Sequence, residues 1–342
     1  MDIFVTGKNP SLIEDIRNSM KEADNLSVCS DNIGKRNWKE EDAVILISDD
    51  EKEIRRTAEA LLPDVPLLVL STRCLWMHFM DMPSVRFRTL PLTAMELREL
   101  LEDLRRTVSL KILLEKHVAG NSRDAAVLRN NIILASSSDV PTHIYGETGT
   151  GKTMAAELIH SLGTRKAREP VSINCATLSS SLIDSALFGH AEGAYTGAVK
   201  AREGLLARAN HSTLFLDEIA NLSEETQIKL LTTIDTGRYR AAGEDIERKT
   251  SFRLITASQV PLEELVEKKK LREDFYYRIS SFSFTIKPLR QHPEDIPEII
   301  RHFERCHKVK RSRIDDFTPF MKKNWKGNVR ELQQVLRKIY MF

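Results

Sequence analysis

Residues 146–153 read Gly146, Glu147, Thr148, Gly149, Thr150, Gly151, Lys152, Thr153, a full match to G-x-x-x-x-G-K-[ST]. This stretch constrains the fold most, because the pattern works only between a strand and a helix. The strand-like THIY (142–145) precedes it and a helix-like run to about residue 162 follows. Its glycines permit φ values and close approaches that side chains would block, so backbone N–H groups can wrap phosphates. The helix N-terminus adds partial positive charge. Lys152 would then reach the β- and γ-phosphates of ATP, and the Thr153 hydroxyl would ligate Mg²⁺.

A second element belongs with the first. TLFL (213–216) is an apolar strand that ends in Asp217 and Glu218. An acid at the end of a buried parallel strand sits beside the phosphate loop, where Asp217 would hold Mg²⁺ through water. Glu218 would polarise an attacking water. The two carboxylates could also open the helix expected over 223–235, but the upstream phosphate loop favours the catalytic reading. Hydrolysis, rather than binding alone, is the expectation.

The chain has 342 residues, enough for two or three domains. A net charge of +2 announces no nucleic-acid partner. No apolar run approaches the roughly 20 residues of a membrane helix, and the N-terminus lacks a signal-peptide core. Cys29, Cys74, Cys175 and Cys306 have no paired spacing, as expected of reduced thiols in a cytoplasmic protein.

Residues 1–105 alternate strand-like runs (DIFVTG, LSVCSD, AVILIS, VPLLVLS, VRFRTL) with helix-like segments, which predicts a doubly wound parallel sheet. A charged linker helix is expected over 106–121. The pattern restarts with strand candidates THIY, PVSIN, TLFL and FRLITA, giving an α/β core over 122–289. A helical lid over 290–342 completes the chain.

GETGTGKT, INCATL (173–178), LFGHAEGAYTGA (187–198), TLFLDEI (213–219), LREDFYYRI (271–279) and WKGNVREL (325–332) occur in a telling order. Together they resemble the central AAA+ domain of bacterial enhancer-binding proteins, ATPases that activate sigma-54 RNA polymerase. The resemblance covers roughly residues 122–342. It implies that Gly193, Ala194, Tyr195, Thr196, Gly197 and Ala198 tip a loop that contacts sigma-54, with Tyr195 in the aromatic position usually held by Phe. It implies that Asn174 holds the catalytic glutamate away until the ligand state changes. Arg272 and Arg278 match the arginine-finger segment offered to a neighbouring subunit, and Arg330 matches the sensor arginine of the lid. Fingers acting in trans imply a homo-oligomer, from a dimer to a hexameric ring.

The chain departs from the family pattern at Ser258-Gln259, where Thr-Asn is usual. Gln259 could still orient water, with a longer reach. Thr153 replaces the usual Glu, and His211-Ser212 replaces a Gly pair. Residues 1–105 resemble a response-regulator receiver, without its chemistry. Thr6-Gly7 stands where the paired acids belong, Ile47 or Ser48 where the phosphorylated Asp belongs, and Leu90-Pro91 where Lys-Pro belongs. Asp49 and Asp50 fall slightly late. A degenerate receiver that docks, dimerises or senses a ligand is the expectation.

GNVRELQQVLRKIYMF reads as one lid helix, so DNA binding is expected only if a helix-turn-helix follows Phe342. Two rivals remain at this point. One is a weakly hydrolysing or non-hydrolysing co-regulator acting through a mixed ring or a partner protein. The other is an enhancer-binding DNA regulator that lacks its reading head here.

Overall fold

The computed structural model describes residues 2–7, 9–19, 25–28, 42–61, 65–75, 85–194, 201–309 and 312–341. The strands are β1 (Asp2–Gly7), β2 (Asn25–Val28), β3 (Asp42–Ile47), β4 (Leu67–Ser71), β5 (Val85–Thr89), β6 (Thr142–Gly146), β7 (Val171–Asn174), β8 (Gly189–His190), β9 (Arg202–Glu203), β10 (Thr213–Asp217), β11 (Arg238–Arg240), β12 (Glu247–Lys249), β13 (Arg253–Ser258) and β14 (Phe282–Ile286). The helices are α1 (Pro10–Asn18), α2 (Glu51–Ala60), α3 (Ala94–Glu115), α4 (Arg123–Ser136), α5 (Lys152–Leu162), α6 (Ser180–Phe188), α7 (Leu205–Arg208), α8 (Glu224–Thr236), α9 (Leu262–Glu267), α10 (Glu273–Ile279), α11 (Ile296–Cys306), α12 (Thr318–Lys322) and α13 (Asn328–Met341). Two compact units result: Met1–Ile133 with Glu294–Cys306, and Leu134–Pro293 with His307–Phe342.

In the first unit the sheet order is β2-β1-β3-β4-β5, all parallel, the doubly wound arrangement expected for residues 1–105. Strands β3 and β4 are buried on both faces, which explains their unbroken apolar runs. Helix α1 starts where the Asn9 side chain accepts the Leu12 N–H at 3.1 Å, with Pro10 in its first turn. A capping box of Thr93 and Glu96 starts α3. With no glycine or proline to stop it, α3 runs 22 residues, so the stretch expected as a separate linker is continuous with the preceding helix to Glu115.

Strand β3 ends at Ile47, opposite Gly7. Beyond it the Asp49 carboxylate accepts the Ser71 hydroxyl at 2.6 Å, the Thr72 N–H at 2.6 Å and the Thr72 hydroxyl at 2.5 Å. These donors, the Ser71 hydroxyl foremost, hold the carboxyl below the usual range. Asp295 explains why Glu294–Cys306 joins this unit. Its buried carboxylate takes the N–H groups of Asn121 and Ser122 at 2.8 and 2.7 Å, and the Ser122 hydroxyl at 2.5 Å.

The second unit carries a parallel sheet in the order β14-β6-β13-β10-β7. Strand β14 lacks an expected counterpart, because FSFTI buries only Phe284 and Ile286 and reads as half polar. Its place at the sheet edge beside β6 comes from pairing alone. Helix α8 is capped by Ser223 and closed by Gly237 at φ +68°. The buried Trp325 anchors the end of the chain, donating its indole N–H to the Phe320 carbonyl at 2.8 Å. Among the described residues, no helix is long and apolar enough to cross a membrane.

Candidate functional site

Strand β6 lies between β13 and β14 and ends at Gly146, so the following loop emerges at the carboxyl edge of the sheet. Gly149 takes φ +79°, and a Cβ there would fall 2.2 Å from the Gly327 carbonyl oxygen. Gly151, at φ +108°, precedes the first turn of α5. Both positions therefore require glycine. Lys152 is buried, and its ammonium donates to the carbonyls of Gly146 at 2.7 Å and Glu147 at 3.2 Å. Burial lowers its pKa, while the carboxylates of Asp217 and Glu218 pull it back up.

Strand β10 delivers Asp217 to the same edge, opposite Asn174 on β7. Burial pushes the Asp217 carboxyl up, and the charge of Glu218 adds to that. Glu218 sits in the left-handed region at φ 58°, ψ 49°. Its N–H donates to Asp217 Oδ1 at 3.0 Å, and its carbonyl accepts both the N–H and the side-chain amide of Asn221 at 3.1 Å. The Asn174 amide donates to Asp217 Oδ2 at 3.3 Å. The carboxylate of Glu218 instead takes the amide N–H of Gln259, whose carbonyl oxygen accepts the Thr148 hydroxyl at 2.6 Å. Beside Asn174, burial pushes the Cys175 thiol up to about 12.

Thr148, Gly149, Gly151, Lys152, Thr153, Asn174, Asp217, Glu218, Gln259 and Arg330 line one cavity of about 570 Å³. That volume suits a nucleotide-sized ligand. Three members of the phosphate loop do not line it. Gly146 closes the strand, the Thr150 hydroxyl turns back to the Glu147 carbonyl at 2.9 Å, and the Glu147 carboxylate turns to Arg290. Arg272 and Arg278 also lie elsewhere. Arg272 pairs with Glu224 and Asp274 at 2.7 and 2.9 Å, and Arg278 with Asp235 at 3.0 Å.

Of the six residues expected at the sigma-54 loop, Tyr195, Thr196, Gly197 and Ala198 lie outside the described residues. Gly193 is at φ +77° with open space around its Cβ position, while Ala194 lies against Gly243. The segment springs from a fixed base, since β8 and β9 pair antiparallel on either side of it.

Three further residues shape the site without having been anticipated. Arg290 forms a bidentate pair with Glu147 at 2.7 and 2.6 Å and holds its carboxyl below the usual range. Asn328, fully buried at φ 51°, donates to Glu147 Oε2 at 3.2 Å and the Thr148 carbonyl at 3.0 Å, and accepts the Leu289 N–H at 2.8 Å. His143, below the loop on β6, bridges the hydroxyls of Thr256 and Ser258 at 2.8 and 3.1 Å. The available signals were an acid at the second position of the phosphate loop, an Asn inside GNVREL, and a His within the strand that leads into that loop.

Residues 118–285 match the family model described as the sigma-54 interaction domain. The transcriptional regulatory protein ZraR of Klebsiella oxytoca is 38% identical over 227 residues, 65% of this chain and 51% of ZraR. The response regulator protein PilR of Pseudomonas aeruginosa is 35% identical over 263 residues, 74% of this chain and 59% of PilR. The chain spans about half the length of the first of these curated relatives. In structure, NtrX from Brucella abortus, solved in complex with ADP, superposes with a TM-score of 0.59 at 22% identity, covering 99% of this chain and 82% of NtrX. That likeness concerns the fold.

Proposed function

We propose, from the match of residues 118–285 to the sigma-54 interaction domain, that this chain hydrolyses ATP to convert the closed complex of sigma-54 RNA polymerase into an open one. The observation that carries the reading is the convergence of Lys152, Asp217 and Glu218 on one cavity at the carboxyl edge of a parallel sheet. Charge stabilisation, a metal ligand and a general base thus meet in one place.

The backbone turns at Gly149 and Gly151 fit a phosphate, since glycine permits their positive φ and leaves the loop free of side chains at those points. Thr153 and Asp217 fit Mg²⁺ held jointly with phosphate oxygens, as such sites use few protein ligands. Bound Mg²⁺ would neutralise charge on the β- and γ-phosphates. Lys152 turns from the loop carbonyls to the phosphates, and Glu218 takes a proton from the water that attacks the γ-phosphorus. The water oxygen bonds to phosphorus as the bond to the bridging oxygen breaks, leaving ADP and phosphate. Arg330 reaches the γ-phosphate from the lid. Arg272 and Arg278, outside their own chain's cavity, serve a neighbour in a homo-oligomeric ring.

Residues 193–198 carry the energy to sigma-54. The domain boundaries proposed are a regulatory, receiver-like domain over 1–105, a linker over 106–121, the core over 122–289 and the lid over 290–342. The protein acts in the cytoplasm, and contacts DNA only where a reading domain follows.

ATP turnover and open-complex formation with purified sigma-54 holoenzyme test this reading. Glu218→Gln is expected to lower turnover by about 10²–10⁴-fold while nucleotide still binds. Wild-type protein that shows no turnover at any protein concentration would sink it.

A further inference from the structure

We infer that Gln259, not Asn174, positions the general base in this chain, and that the Thr148 hydroxyl in turn orients Gln259. The inference rests on the proposed ATPase reading for its catalytic consequence, and on geometry for the arrangement itself. One amide spans two functional elements: its N–H is given to the Glu218 carboxylate and its oxygen accepts the Thr148 hydroxyl at 2.6 Å. Asn174 is committed elsewhere, with its N–H on Asp217 at 3.3 Å and its oxygen on the Ala176 N–H at 2.9 Å.

Both supports of the amide are held in place. Under Gln259, Ser258 is bonded to His143 at 3.1 Å and to the Val260 carbonyl at 2.5 Å. Under Thr148, the Asn328 amide holds the backbone carbonyl at 3.0 Å. The backbone of Glu218 is likewise anchored through Asp217 and Asn221, so only its side chain is left to be placed. A side chain one methylene shorter would lose about 1.5 Å of reach and could keep only one of the two bonds. The phosphate loop therefore reports to the base through a single side chain. Asn174 acts on the metal-ligand candidate Asp217 instead.

The two roles separate in kinetics. Gln259→Leu is expected to lower kcat by about tenfold at saturating Mg²⁺ with KM for ATP within about twofold, the signature of a lost positioning contact. Thr148→Val lowers kcat by roughly threefold, and the double variant matches Gln259→Leu because the residues act in series. Asn174→Ala raises the Mg²⁺ concentration needed for half-maximal rate, because Asp217 loses its amide donor.

A readout independent of turnover is the side-chain amide resonance of Gln259 in full-length chain labelled with ¹⁵N-glutamine, assigned by its loss in Gln259→Leu. It is expected to move in Thr148→Val and Glu218→Ala and to stay in Asn174→Ala. Wild type without turnover would defeat the ATPase reading while leaving this test standing. An amide signal indifferent to Thr148 and Glu218 would overturn the inference. So would independent, multiplying effects of the Thr148 and Gln259 variants, or a kcat loss in Asn174→Ala exceeding that in Gln259→Leu.

Discussion

The guanidinium of Arg290 grips both carboxylate oxygens of Glu147, at 2.7 and 2.6 Å. Glu147 is the second residue of the phosphate loop, and Arg290 follows the last strand of the sheet. The pair thus ties the loop to the segment that follows β14. Asn328 adds a second tie from the start of α13.

Since both members of the ion pair are more than a third exposed, they contribute modestly. Arg290→Ala or Glu147→Gln is expected to weaken nucleotide binding by only about threefold, with the double variant no worse than either single one. Asn328→Ala would be harsher. It strands buried polar groups and places alanine at φ 51°, so a stability loss of about 2 kcal/mol or more is expected. Denaturant titrations and equilibrium binding of a fluorescent ATP analogue measure both. An Arg290→Ala effect larger than that of Asn328→Ala would contradict this ranking.

His143 makes the second unit sensitive to acid. Burial pushes its pKa down to about 3, with Lys152 assisting, against about 6.5 in an unfolded chain. A depressed pKa means its contribution is complete above pH 6.5 and is lost as pH falls toward 3, because only the unfolded state takes the proton. Between pH 7 and 5 this group alone costs about 2 kcal/mol. Hydrogen exchange of β6 and β13 amides, corrected for intrinsic rates, is expected to show a flatter pH dependence in His143→Leu. Identical slopes in both proteins would rule the linkage out.

Asp49 is expected to be structural rather than a phosphoryl acceptor. Its carboxylate is filled by the hydroxyls of Ser71 and Thr72 and the Thr72 N–H, and it lies two residues past the end of β3. Incubation with acetyl phosphate is expected to leave the intact mass of the chain unchanged. Asp49→Asn is expected to lower the melting temperature of the first unit, since its charge-assisted bonds become neutral ones. An acid-labile mass gain that disappears in Asp49→Asn would reverse the assignment.

The sequence was most legible where function depends on local order. A glycine loop must join a strand to a helix, and acids must end a strand, so GETGTGKT and LDE announce their own surroundings. The five alternating runs of the first unit and their parallel order were readable for the same reason, since buried parallel strands are apolar on both faces. Strand β14 was not, because FSFTI buries one face only and gains its identity from β6. The start of the linker leaves no mark in the helix, because nothing in residues 94–115 breaks it, whatever domain the residues serve.

By itself, then, the chain's order of residues determined that a glycine loop would join a strand to a helix and that paired acids would end a strand. The tertiary structure alone decided which side chains hold them. Glu218 is positioned by a residue 41 positions away and Glu147 by one 143 positions away. Such partners are chosen by the angle at which strands and lid deliver their ends, and a hydrogen bond tolerates only a few tenths of an ångström of error. A sequence pattern carries periodicity and not that angle, so the choice of Gln259 over Asn174 could emerge only once the sheet was folded.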